Sequence, residues 1–256
     1  MKSGRPHQTD GQPRPDKPEV TLAPAARDRD LANAARFGVR LAATRDPSSW
    51  QLVRAVAGLE LWAPTDEGGY RVQVDVSTGP LARRIRTARR TDPLPRALGL
   101  QRRESPPTVV DATAGLGRDA LVLAQLGCTV TAIECVPAFA MLLQNAVDDA
   151  GEERLTVVCT DAVAWLRALP EAAAPDVVYL DPMFEEAGRS QVKKEMQACR
   201  ALAATGDDLT ELLAAARAVA RERVVVKRHP HHQALDPNVS HAVTGERVRF
   251  DVYLRG

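Results

Sequence analysis

The sequence predicts an α/β protein built on a doubly wound, mostly parallel sheet. Three observations carry that expectation. Residues 109–119 read VVDATAGLGRD: an apolar, β-branched run ends in a carboxylate, turns through small residues and two glycines, and opens a helix. Beyond it, short apolar runs alternate with helix-length segments as far as residue 227, the spacing of strand–helix–strand units. Four of those runs end in polar groups, Asp111, Glu134, Thr160-Asp161 and Asp181, and such sheets bind ligands outside the carboxyl ends of their strands.

Taken in order, residues 1–28 form the first unit, a disordered tail. Its five prolines before residue 28 and its lack of aromatic residues leave too little apolar surface to offset ordering entropy. Residues 29–80 read as a small N-terminal α/β appendage. Its Ala/Leu-rich stretch from Leu31 towards Ala43 is helical; residues 52–61 fit a strand or a short helix. Gly68-Gly69 marks a turn before the strictly alternating residues 70–76, a half-exposed strand.

Residues 81–107 form an Arg-rich connector. Eight arginines between residues 81 and 103 face a single acid, Asp92. A solvated face usually mixes signs, so a one-sign strip in a protein with 34 Lys plus Arg against 33 Asp plus Glu points to phosphates. Arg83, Arg84, Arg86, Arg89 and Arg90 are the candidate RNA contacts here. Lys193, Lys194, Lys227 and Arg228, after the fourth and fifth strands of the sheet, join them on the same rim.

Residues 108–256 are the sheet domain. Strands are expected at 108–111, 129–133, 155–158, 176–180 and 223–227. Helices are expected from Asp119 to Leu126, from Pro137 to about Asp149, to Leu169, and over 192–203 and 208–220. Residues 247–254 alternate cleanly and form a late antiparallel strand, with a short partner near 242–243. The hydrophobic share of 45% is ample for a core of this size.

Cys128, Cys135, Cys159 and Cys199 are scattered without a CxxC pair, which reads as reduced thiols in a cytoplasmic protein. No metal site is expected, and His229, His231 and His232 read as a polar loop because no carboxylate or thiol stands at ligand spacing. No apolar run approaches the ~20 residues of a membrane span, and no apolar leader is seen.

The glycine turn with an acid about 20 residues on fits either a dinucleotide or S-adenosylmethionine. Gly115 and Gly117 make the turn. A pyrophosphate would lie beside Asp111 and Asp119, two like charges. S-adenosylmethionine brings a sulfonium and an ammonium instead, which acidic strand ends attract, and Glu134 can take ribose hydroxyls. Asp181-Pro182-Met183-Phe184 resembles the (Asn/Asp)-Pro-Pro-(Phe/Tyr) motif of methyltransferases that modify exocyclic amines. The Asp181 carboxylate, or the adjacent backbone carbonyl, can hold an amine N–H and aim the nitrogen lone pair; Pro182 stiffens the turn, and Phe184 can stack on a base.

VVDATAGLGRDA, VVYLDPMF, VKKEM, RVVVKR and RFDVY together resemble the ribosomal RNA small subunit methyltransferase J family, over about residues 72–253. The resemblance implies a Rossmann-like methyltransferase sheet, S-adenosylmethionine as cofactor, and methylation of N2 of a guanosine in 16S ribosomal RNA in the cytoplasm. It implies cofactor contacts at Arg118-Asp119, Glu134-Cys135, Thr160-Asp161 and Asp181, and ribosomal RNA or the small ribosomal subunit as partner. Three other readings remain: a methyltransferase acting on another RNA or nucleobase amine, an NAD-dependent oxidoreductase, and a non-catalytic RNA-binding protein. The oligomeric state stays open.

Overall fold

The computed structural model describes residues 18–182, 194–202 and 209–255. Within them the N-terminal part runs β1 (Val20–Leu22), α1 (Asp28–Phe37), β2 (Arg40–Leu41), β3 (Trp50–Ala55), β4 (Gly58–Trp62) and β5 (Arg71–Val72). The connector holds α2 (Gly79–Thr87) and α3 (Pro93–Ala97), followed by a single 3-10 turn at Leu100–Arg102. Then come β6 (Thr108–Asp111), α4 (Arg118–Gln125), β7 (Thr129–Glu134), α5 (Pro137–Ala150), β8 (Leu155–Cys159), α6 (Ala162–Ala168) and β9 (Val177–Leu180). The chain closes with α7 (Lys194–Leu202), α8 (Leu209–Val219), β10 (Arg223–Arg228), β11 (His241–Thr244) and β12 (Arg249–Leu254).

The last seven of these strands form one sheet in the order β11-β12-β10-β9-β6-β7-β8. β10, β9, β6, β7 and β8 are mutually parallel, and β12 returns antiparallel beside β10, as its alternation predicts. Alternate residues feed opposite faces. Val109, Val177, Tyr179 and Val225 join the core under α4 and α5, whereas Val110, Val178, Leu180, Val224 and Val226 join the core under α6 and α8. The strands are buried on both sides, which is why they read as unbroken apolar runs.

The N-terminal strands make a second sheet in the order β2-β1-β3-β4-β5. It shares one continuous apolar cluster with the α4–α5 face of the large sheet: Phe37, Leu52, Leu59 and Leu61 lie in the same cluster as Phe139, Leu142 and Ala146. A buried polar staple accompanies this contact. Arg54 of β3 pairs with Asp30 of α1, its Nε 2.9 Å from Oδ2, and reaches Asn145 Oδ1 of α5 at 2.7 Å.

Several boundaries differ from the sequence reading. The tail reading ends too late, because Val20–Leu22 is a strand paired in parallel with both β2 and β3. The first helix stops at Phe37, where Gly38 takes the left-handed conformation (φ 73°), and the chain turns into β2 rather than continuing to Ala43. Residues 52–61 are neither a lone strand nor a helix but most of the β3–β4 hairpin. The alternating run 70–76 pairs only at Arg71–Val72; Asp75 instead accepts the N–H groups of Ser77 (2.8 Å) and Thr78 (2.9 Å) in a turn that leads into α2.

Candidate active site

The switch in strand order falls between β6 and β9, whose chain neighbours lie on opposite sides of the pair, and in open α/β sheets the carboxyl ends of the strands at such a point are where ligands bind. On the β6 side, Asp111 is buried at the strand end and accepts the Thr113 N–H at 3.2 Å. Burial, followed by the nearby Asp119 charge, pushes the Asp111 carboxyl well above the usual carboxylate range. The turn closes with the Gly117 N–H on the Ala114 carbonyl (2.7 Å), and Gly115 (φ 54°) and Gly117 (φ 68°) both take left-handed conformations.

The two glycines serve different ends. A Cβ on Gly115 would meet nothing within 4 Å, so its backbone lines open space. A Cβ on Gly117 would lie 2.1 Å from Leu143 Cδ1, so that glycine lets the turn press onto α5. Glu134, at the end of β7, walls the open side. Its Oε1 accepts the Val136 N–H at 2.6 Å, and the backbone N–H groups of Gly115 and Cys135 also reach the carboxylate. Burial nevertheless raises its pKa. The exposed Cys135 follows it, and Thr160 at the end of β8 donates its N–H to the Glu134 carbonyl at 3.1 Å. Asp161 caps α6 by accepting the Ala164 N–H at 2.7 Å. Acids thus stand at three adjacent strand ends, with Glu134 in contact with the Gly115 backbone, an arrangement that suits a cationic, hydroxyl-bearing ligand.

On the β9 side lies a compact charge network. Asp181 follows β9 and donates its backbone N–H to Thr113 Oγ1 at 2.6 Å, which locks it to the glycine turn. Lys227, near the end of β10, sits with its Nζ 2.6 Å from Asp181 Oδ2 and 3.1 Å from Asp119 Oδ2. The Tyr179 hydroxyl donates to that same Asp119 oxygen at 2.6 Å, and Arg84 of α2 pairs with Asp119 Oδ1. Burial works against the Asp119 charge, yet Lys227 and Arg84 hold its carboxyl down at about 2, from an ordinary 3.8. Burial also raises Asp181, with Lys227 opposing. For Lys227, burial is outweighed by the two carboxylates, which keep the ammonium charged above the ordinary lysine range.

This network revises the sequence reading of three basic residues. Lys227, expected at phosphates, turns inward to Asp119 and Asp181; Arg84 pairs with Asp119 while its side chain stays 46% exposed on the α2 groove; and Arg228 is buried and donates to the Gln233 carbonyl. Asp119, expected at the cofactor, is enclosed by Tyr179, Arg84 and Lys227. Tyr179 and Thr113 were not singled out from sequence, although Tyr179 stands two residues before Asp181 and so shares its face of the strand.

Arg83, Arg86 and Arg89 are exposed, Arg90 is half-buried with its guanidinium on the Arg103 carbonyl (3.0 Å), and Arg118 is exposed at the start of α4. An open groove of about 520 Å³ runs along α2 between Gly79, Pro80, Arg83, Arg84 and Thr87. Lys194 is exposed and Pro182 is buried. Phe184 and Lys193 lie outside the described residues. The His229 ring centroid lies 5.4 Å from that of His231 and 5.1 Å from that of His232. Among the described residues no group of three His, Cys, Asp or Glu side chains could hold a metal ion, and no helix is long and apolar enough to cross a membrane.

Residues 33–255 match the sequence profile of the family described as "Putative SAM-dependent methyltransferase". The chain is 42% identical over 241 residues to the ribosomal RNA small subunit methyltransferase J of Thioalkalivibrio sulfidiphilus, covering 90% of this chain and 94% of that one. It is 38% identical over 249 residues to the protein of the same name from Chromobacterium violaceum, covering 93% and 96%. Its fold is similar to the crystal structure of a SAM-dependent methyltransferase from Neisseria gonorrhoeae, with TM-score 0.73, 29% identity, and 93% and 96% of the two chains covered.

Proposed function

The chain belongs to the ribosomal RNA small subunit methyltransferase J family, a SAM-dependent family, and from that premise we propose that it methylates the exocyclic N2 of a guanosine in 16S ribosomal RNA. Membership sets aside the oxidoreductase reading of the glycine turn. The observation that carries the proposal is the placement of Asp181: it is tied by its backbone to Thr113 of the glycine turn and by its carboxylate to Lys227. An acceptor for an amine proton is thereby fixed to the glycine turn through Thr113.

S-adenosylmethionine, when bound, supplies a methyl group on a positively charged sulfur. The residues present fit it: Gly115 leaves room, Glu134 offers carboxylate oxygens to ribose hydroxyls, and Asp111 places an acid near the positive charges. Gly117, Arg118, Cys135, Thr160 and Asp161 complete the proposed cofactor rim. On the substrate side the guanine amine is a poor nucleophile, because its lone pair is delocalised into the ring. Asp181 accepts one N–H and turns that lone pair towards the methyl carbon. The bound cofactor would supply the methyl group for an in-line displacement by that nitrogen, and Asp181 would take up the proton the nitrogen then gives up and pass it to water. Positioning and desolvation carry the rate.

The exposed Arg83, Arg86 and Arg89 with Lys194 supply the positive surface for the RNA backbone. The enzyme works in the cytoplasm, where small subunits are found. The test is transfer of labelled methyl from S-adenosylmethionine to small subunits from cells lacking this gene, followed by nucleoside analysis. N2-methylguanosine is the expected product. A different methylated nucleoside would move the target, and cofactor binding without any transfer would favour the non-catalytic RNA-binding reading. Asp181→Ala should lower turnover about 100-fold or more while leaving the melting temperature nearly unchanged; equal losses of both would refute its role.

A further inference from the structure

We propose that Lys227 is a positioning residue of the methyl transfer: anchored on Asp119, its ammonium holds Oδ2 of Asp181 and leaves Oδ1, ionised, to accept the substrate amine. This rests on the reading of Asp181 as the amine's acceptor.

The geometry supports it at each link. Lys227 Nζ lies 2.6 Å from Asp181 Oδ2, and among the described residues no donor is recorded on Oδ1. Strand register brings the two residues side by side: Val226 pairs with Leu180 across β10 and β9, and Lys227 and Asp181 are the next residues on the two strands. Lys227 is in turn fixed from behind. Asp119 Oδ2 receives both Lys227 Nζ at 3.1 Å and the Tyr179 hydroxyl at 2.6 Å, and Arg84 takes the other Asp119 oxygen. A long, flexible lysine is thus confined to one position by two carboxylates.

The charges facing Asp181 decide what this does. Asp119 from α4 and Asp111 from β6 are acids that favour its protonation, as does its burial; Lys227 from β10 and Arg84 from α2 oppose them. A protonated Asp181 cannot take the amine N–H on both oxygens and would itself compete as a donor. Lys227 is the cation in direct contact, so it is the group that keeps Asp181 ionised at working pH. The burial that weakens Asp181 as an ion in water makes it a stronger acceptor once Lys227 has settled its charge.

The experiment compares Lys227→Met and Lys227→Arg with the parent protein from pH 5 to 9. It measures kcat and KM on small subunits, affinity for S-adenosylmethionine by calorimetry, and the carbon-13 carboxyl titration of Asp181 in the cofactor-free protein. Lys227→Met should lower kcat about 100-fold at pH 7, move the acid limb of the kcat profile and the Asp181 titration to higher pH together, and change cofactor affinity less than about threefold. Lys227→Arg should restore part of kcat and return the acid limb.

A fall in kcat with an unmoved acid limb and an unmoved Asp181 titration would overturn the proposal. So would a raised KM for subunits at unchanged kcat, which would make Lys227 a phosphate contact. If Lys227→Met does not fold, Tyr179→Phe carries the test: without the phenol donor Asp119 draws Lys227 away from Asp181, and an unmoved limb again overturns the idea. Full turnover in Asp181→Asn would sink the underlying reading of Asp181, an outcome distinct from any of these.

Discussion

Replacing Gly117 by alanine should cost far more than the same change two residues earlier. At Gly117 the new methyl would lie 2.1 Å from Leu143 Cδ1, 2.7 Å from Cδ2 and 2.9 Å from Cγ. Leu143 is fully buried on α5, so its side chain can give way only by displacing its core neighbours. Overpacking of this kind costs about 1–3 kcal/mol, and a left-handed conformation (φ 68°) adds about 1 kcal/mol for an L-residue, giving roughly 2–4 kcal/mol together. For a chain of this length each kcal/mol lowers the melting temperature by roughly 2–4 °C, so a fall of about 4–16 °C is expected in calorimetric unfolding. Gly115→Ala meets open space and carries only the backbone cost, about 1 kcal/mol; its effect should fall on cofactor affinity instead. In the double variant Gly117→Ala/Leu143→Ala the methyl finds the room that leucine vacates, and the two changes should combine to about 1 kcal/mol or more less than their sum. Equal melting temperatures for the two glycine variants, or strict additivity in the double variant, would refute the packing argument.

Two further outcomes follow from the charge networks. Asp119 sits at about 2 against an ordinary 3.8, a depressed carboxyl, so its stabilisation is complete above about pH 4 and is lost as the pH falls towards 2; Asp119→Asn should remove roughly 2 kcal/mol of that acid-side slope in denaturant titrations. Arg54→Met leaves Asp30 buried without its ion-pair partner and should destabilise the chain by about 3 kcal/mol in equilibrium unfolding, with the N-terminal sheet and the large sheet melting together because they share one core.

The large sheet was legible because its signals are local. A strand buried on both faces is an apolar run, and Val109-Val110, Val177-Val178 and Val224-Val225-Val226 announce themselves without knowledge of their neighbours. The carboxylates at their ends mark the carboxyl edge of the sheet for the same reason. The strand at Val20–Leu22 was hidden because its partners lie 19 and 30 positions further along the chain, while the prolines around it suggest a tail. Arg84 and Lys227 show a different limit. A basic residue looks the same in sequence whether it meets water, phosphate or a buried acid, and only the packing of α2 and β10 against α4 decides that both reach Asp119. Tyr179 was lost among its strand's core residues, although its spacing from Asp181 placed the hydroxyl on the right side.

The guanidinium of Arg36, on α1, donates to the Val157 carbonyl at 2.6 Å. That carbonyl belongs to β8, the last strand of the large sheet, whose outer rim would otherwise present unpaired backbone groups to any passing strand. The small N-terminal sheet therefore does more than extend the core: through one side chain it guards the margin of the catalytic sheet against recruitment by another molecule. A chain shortened past α1 would lose that guard together with the Ala34 and Phe37 side chains that α1 adds to the shared core.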